Sequence, residues 1–162
     1  LKKFKNAQDL VKIIKKSKKK NFKNKIDPST QSFQALRIFV NKEITELIEG
    51  ISYATKLLKP NGKLIVISFH SLEDKIVKYF FKNYSENRSI GSRYFPSENT
   101  NYSLFTSYKN KIIKPSLKEI NKNPSSRSAK LRYAVRSEND FKKPNELFLK
   151  FDNFLQLEKL NV

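Results

Sequence analysis

Leu64-Ile65-Val66-Ile67-Ser68-Phe69-His70-Ser71-Leu72-Glu73-Asp74 decides how the rest of the chain is read. An unbroken β-branched run is bounded upstream by Lys59-Pro60-Asn61-Gly62, a stop-and-turn signal. Such a run predicts a strand buried on both faces, the kind found in parallel sheets. Ser71 with Asp74 three residues later predicts a capped helix start. Ile76, Val77, Phe80, Phe81 and Tyr84 mark the buried face of that helix. Upstream, Ile44, Leu47, Ile48, Ile51, Ala54, Leu57 and Leu58 repeat at helical spacing, with Asn41 as the expected cap. Residues 42–84 therefore spell helix, strand, helix, an α/β layered unit.

The flanks are read in the same way. Phe4, Ala7, Leu10, Val11 and Ile14 form one face of an N-terminal helix, and Asp27-Pro28 opens another through Phe33, Leu36 and Val40. Residues 85–103, with Gly91 and Pro96, read as a long loop. Strand material follows at Leu104–Tyr108 and Ile112–Ile113. Ser116 with Glu119 opens a short helix ending near Asn123–Pro124. Leu131, Tyr133 and Val135 alternate with Arg132, Ala134 and Arg136 in a final strand. Beyond Pro144, Phe148, Leu149, Phe151, Phe154, Leu155 and Leu157 predict an amphipathic tail helix.

Composition narrows the function. The 162 residues carry 34 Lys plus Arg against 15 Asp plus Glu, a formal charge of +19, which favours a polyanionic partner. The competing reading is a Lys-rich solvated surface with no partner. The densest run is Lys15, Lys16, Lys18, Lys19 and Lys20, followed by Lys23 and Lys25. It suits phosphate attraction and not base recognition. With no Cys and a single histidine, His70, disulfides, thiolate chemistry and multi-histidine zinc sites are excluded, and no metal is expected. No apolar run approaches the roughly 18–20 residues that cross a bilayer. A membrane-surface role is disfavoured by Asp152 and Glu158 in the tail. The chain begins at Leu1, which reads as an internal start within a longer protein.

Three segments are candidates for chemistry. Ligands in open α/β sheets bind beyond the carboxyl ends of strands, where His70, Ser71, Glu73 and Asp74 crowd one turn. The plainer reading is that these residues cap a helix. Asn123-Pro124-Ser125-Ser126-Arg127-Ser128-Ala129-Lys130-Leu131-Arg132 alternates small hydroxyls with cations, a composition suited to phosphate or to a solvated loop. In the segment 27–37, Gln34 and Arg37 can reach bases or phosphates, or simply decorate a helix. Only Gly50, Gly62 and Gly91 exist, and none opens a strand-to-helix turn, so no glycine loop for a nucleotide cofactor is encoded.

Taken in order, Phe33-Gln34-Ala35-Leu36-Arg37-Ile38, the stretch Leu58 to Lys78 with its Ser-Phe-His-Ser-Leu-Glu-Asp, Lys114-Pro115, and Asn123-Pro124 with Arg127-Ser128-Ala129-Lys130-Leu131-Arg132 resemble the RsmH (MraW) family. These are S-adenosylmethionine-dependent methyltransferases acting on N4 of a cytosine in small-subunit ribosomal RNA. The resemblance covers residues 1–137. Two positions depart from its pattern: Asp27 stands for a usual His, and Gln31-Ser32 for a usual Thr-Arg.

The resemblance implies the C-terminal half of a Rossmann-like class I methyltransferase core plus the end of a helical insertion domain. Residues 1–40 would close the insertion, 41–137 would form the half-core, and 138–162 would be a tail. It further implies S-adenosylmethionine as cofactor, with its main binding residues upstream of Leu1, and small-subunit ribosomal RNA as partner in the cytoplasm. A fragment of this kind is expected to be inactive and poorly soluble alone. His70 is the expected catalytic base, as the only side chain that titrates near neutrality. Ser71 and Glu73 are expected to line the target pocket. Arg127, Ser128, Lys130 and Arg132, with Gln34 and Arg37, are expected to touch the RNA. The alternative is a basic RNA-binding module without catalysis.

Overall fold

A computed structural model describes residues 6–17, 27–86 and 102–160. Phe4, Lys18–Lys20, Lys23, Lys25 and residues 87–101 of the expected loop, with Gly91 and Pro96, lie outside the described residues. The chain divides into two compact units, Leu1–Glu43 with Gln156–Val162, and Ile44–Leu155.

In the smaller unit, α1 (Ala7–Ser17) packs on α2 (Pro28–Asn41). Asp27 caps α2: its carboxylate accepts from the Ser29 backbone N–H at 2.8 Å and from the Ser29 hydroxyl. These bonds, the hydroxyl's first, hold the Asp27 carboxyl at about 2. Asn41 does not cap the next helix as expected. It is the last residue of α2, and Lys42 makes the break with a left-handed backbone, φ 52°. The Lys42 N–H turns back to the Ile38 and Phe39 carbonyls, a C-terminal closure that satisfies groups a helix end otherwise leaves open.

The larger unit is built on α3 (Glu43–Leu57), β1 (Lys63–Ser68), α4 (Ser71–Asn83), β2 (Phe105–Ser107), α5 (Leu117–Lys122), a 3₁₀ turn (Pro124–Ser128), β3 (Lys130–Arg136), α6 (Asn145–Lys150) and the start of α7 (Asp152–Lys159). The sheet has the order β1-β3-β2, and both pairings are antiparallel. This corrects the expectation of a parallel strand buried on both faces. β1 alternates instead: Leu64 and Ser68 are buried, while Ile65 and Ile67 are more than half exposed. The β-branched run encodes a strand that needs cover on two sides, and the described residues supply one.

That covered side is the core. α4 lays Ile76, Val77, Phe80 and Phe81 against the sheet, all essentially without exposure. Phe105 meets Phe80 and Phe81 edge-on at 5.4 and 5.3 Å between ring centres. The tail joins this core. Leu147, Phe151 and Leu155 are buried, and Phe151 stands edge-on to Tyr79 at 5.7 Å. Two helices, α6 and α7, replace the single tail helix that the periodicity predicted.

Entry into β1 depends on a close turn. Asn61 adopts φ 65°, and its N–H reaches the Arg136 carbonyl at 3.0 Å. A side chain at Gly62 would meet the Lys59 carbonyl at 2.9 Å, so only glycine fits.

β3 reverses what its alternation invites. Arg132, Ala134 and Arg136 are the buried set, and Tyr133 faces outward. Arg136 donates to carbonyls of Thr55 (3.3 Å), Leu104 (3.0 Å), Ser137 (3.0 Å) and Asn139 (2.7 Å), and to the Ser137 hydroxyl (2.9 Å). Thr55 lies in the last turn of α3, so the guanidinium closes a helix end while tying it to β3. Arg136→Leu should lower stability by more than about 3 kcal/mol, since several buried oxygens lose their donor at about 1–3 kcal/mol each. Urea unfolding followed by circular dichroism measures this; a loss under about 1 kcal/mol would mean water replaces the guanidinium.

Candidate functional site

The carboxyl end of β1 runs into α4 through Phe69 and His70. His70, not Ser71, is the helix cap, which corrects the expected Ser71–Asp74 pairing. The His70 ring nitrogen Nδ1 accepts the Glu73 N–H at 3.3 Å. Glu73 answers: its Oε2 accepts the N–H groups of Phe69 (2.8 Å) and His70 (3.1 Å). The result is a reciprocal capping box with imidazole in the place of a hydroxyl. With Nδ1 occupied as an acceptor, the neutral ring carries its proton on Nε2, 3.3 Å from Glu73 Oε1. The His70 side chain is 9% exposed. Ser71, by contrast, is exposed at the start of α4.

This turn leaves little room for a bound anion. The two backbone N–H groups at the strand end, of Phe69 and His70, are already taken by the Glu73 carboxylate. Gly62 lies before β1 and Gly50 within α3, away from any strand-to-helix turn.

Asp74, one residue further on, joins the turn to β3. Arg132 donates to its two oxygens at 2.7 and 3.2 Å, and Lys130 at 3.3 Å. The Arg132 guanidinium also donates to the Tyr108 hydroxyl at 2.7 Å. Burial alone pushes the Asp74 carboxyl up. The hydrogen bonds and charge of Arg132, then of Lys130, outweigh that and hold it below the usual carboxylate range. Burial likewise works against the Arg132 cation, and Asp74 and Tyr108 more than restore it.

The expected site residues thus fall into three groups. His70, Ser71 and Glu73 share one turn. Lys130 and Arg132 reach the same corner through Asp74, helped by the register that sets Ser68 opposite Lys130. Arg127 and Ser128 are exposed in the 3₁₀ turn just before β3. Arg132 is only 2% exposed, and its guanidinium is engaged by Asp74 and the Tyr108 hydroxyl. Gln34 and Arg37 belong to the smaller unit, where Arg37 holds Glu43 in a two-pronged ion pair at 2.7 and 3.1 Å.

Sequence reasoning missed Asp74 as the anchor, together with Tyr108. The available signal was a carboxylate in the first turn of a helix whose cap was already supplied.

Comparison with known proteins places these features. A family model described as the MraW methylase family matches residues 1–137. The chain is 40% identical over 157 residues to the ribosomal RNA small subunit methyltransferase H of Rhizobium etli, covering 97% of this chain and 46% of that protein. Proteins of the same name from Wolbachia sp. subsp. Brugia malayi and Rhizobium meliloti are 53% identical over 110 residues and 44% over 135. Those alignments cover 68% and 83% of this chain, and 30% and 39% of the relatives. The chain therefore spans less than half the length of the curated relatives it matches. Its mixed α/β arrangement fits a portion of a Rossmann-like methyltransferase core.

Asp74→Asn should cost about 3–5 kcal/mol, because it leaves a buried guanidinium without its counter-charge. The Asp74 carboxyl sits below its ordinary value of 3.8, so its contribution is complete above that pH and lost as pH falls through the lower folded value. The gap between wild type and Asp74→Asn in urea titrations should be constant from pH 7 to 5 and close only below about pH 4. A gap that persists unchanged at pH 2 would count against this ion pair as its source.

Proposed function

The chain belongs to the MraW methylase family, and from that premise we propose that it is the C-terminal portion of an S-adenosylmethionine-dependent methyltransferase of small-subunit ribosomal RNA. The observation that carries the reading is the family match over residues 1–137, which contains both the turn 68–74 and the segment 127–132. The finer target is N4 of a cytosine, as the RsmH-like motifs imply. The charge of +19 supports a polyanionic substrate. Residues outside this chain would hold the methyl donor, because the turn at Phe69–His70 is filled by its own Glu73 carboxylate.

Methyl transfer to an exocyclic amine demands that the amine be aimed at the donor carbon, since its lone pair is delocalised into the ring. A rigid wall at the end of β1 serves that need. The His70–Glu73 box stiffens the wall, and the Asp74–Arg132 pair braces it from behind. In the tautomer that caps α4, His70 presents an N–H at Nε2 and no lone pair. Its proposed role is positioning, in place of the base expected from the sequence. Ser71, Arg127, Ser128 and Lys130 remain the proposed RNA-facing groups of this corner.

The test is methylation of undermethylated small-subunit ribosomal RNA by the full-length protein, with the product nucleoside identified by mass. N4-methylcytidine is expected; methylation at another atom or base sinks the finer assignment, and no methylation sinks the coarser one. His70→Asn, which preserves a capping acceptor, should keep methylation within about tenfold of wild type, whereas His70→Ala should lose more. An equal loss of about 10²–10⁴ in both variants would reinstate His70 as a base.

A further inference from the structure

A hollow of about 260 Å³ lies between α3 and the segment that follows β3. Its position follows from helix periodicity. Ile44, Ile48, Ile51 and Thr55 turn one face of α3 into the core, which leaves Glu49, Tyr53 and Lys56 on the opposite side. Phe141, Lys143 and Phe148 close the hollow from the tail. Tyr53 is 62% exposed, a large ring kept in water with no share in the core. Lys143 is set at the rim by its own ring contact, with Nζ 4.8 Å above the centre of Phe148. Lys143 also borders a second hollow of about 230 Å³, where Lys142 sits 4.6 Å over the Tyr102 ring. Two pairs of lysine and aromatic ring thus stand side by side along the tail.

We infer that the larger hollow seats an unpaired nucleobase of single-stranded RNA, with Lys56 and Lys143 on the phosphates that flank it. Single-strand binding sites join rings on which bases stack to cations that follow the backbone, and this hollow has both. Glu49 at the rim suits the exocyclic amine of a base and would repel an acidic peptide. The inference rests on the reading of the whole protein as an RNA-modifying enzyme. It adds a contact apart from the turn at His70, lined by α3 within residues 1–137 and by the tail beyond them.

Fluorescence anisotropy of a labelled oligocytidylate decamer with the full-length protein tests it. Tyr53→Ala should weaken binding about fivefold or more, and Tyr53→Phe should bind like wild type. Lys56→Gln with Lys143→Gln should flatten the dependence of log affinity on log salt by about 1.4, while Tyr53→Ala leaves that slope alone. Tyr53 is mostly solvated, so an unchanged melting temperature shows that its variants fold. Wild-type affinity in folded Tyr53→Ala overturns the inference. So does an oligoglutamate probe that loses affinity in Tyr53→Ala as much as the RNA does. Methylation of ribosomal RNA is scored separately. Tyr53-dependent RNA binding without methylation sinks the proposed activity and keeps the pocket, and methylation without Tyr53 dependence does the reverse.

Discussion

A buried carboxylate facing a buried guanidinium organises the larger unit. Asp74 belongs to the first turn of α4 and Arg132 to the middle strand, so their ion pair fixes where helix and sheet meet. Neither charge tolerates that environment alone, because desolvation of an unpaired ion costs several kcal/mol. Together, with Lys130 and the Tyr108 hydroxyl filling the remaining positions, they are satisfied. The pair also joins two motifs nearly sixty residues apart. The turn 68–74 and the segment 127–132 become one corner because this bond and the β1–β3 register leave no other arrangement.

The second arginine of β3 shows the same economy with different partners. Arg136 gathers carbonyl oxygens from α3, the segment before β2 and the chain just after β3. Both arginines face the helices, so β3 turns its apolar alternates, Leu131, Tyr133 and Val135, to the other side, beside Ile65 and Ile67 of β1. An apolar sheet face of this kind is built to be covered. Among the described residues β1 also lies at an edge of the sheet, the position where a further strand can pair. Both features accord with a chain that spans less than half the length of its relatives.

Element types were legible where periodicity was strong. α3, α4 and β1 stand where the repeats of Ile, Leu and Phe put them, and Ser116 caps α5 through the Glu119 N–H as its spacing predicts. What escaped was pairing. A β-branched run states that a strand wants burial, not which strand lies beside it, so β1 read as parallel. Charges escaped for a related reason. Arginine in an alternating strand reads as solvent-facing until its carboxylate is found, and Asp74 is 58 residues away from Arg132. Caps were half legible. The stretch 70–74 plainly starts a helix, but serine is the commoner cap, and nothing local announces that the imidazole takes the position. Lys42 escaped altogether, since a left-handed lysine leaves no mark in composition. Of the candidate site, the location at the end of β1 was readable; the tautomer of His70 depended on a hydrogen bond visible only in three dimensions.

The strand order β1-β3-β2 carries a kinetic consequence. Among the described residues the central strand is the last of the three in the chain, so neither outer strand meets β3 until residues 130–136 have left the ribosome. During synthesis the isoleucine-bearing β1 waits some sixty residues of nascent polypeptide for its β3 neighbour. Closing so distant a pairing is slow, which makes this interval the one in which a chaperone is most useful to the growing chain.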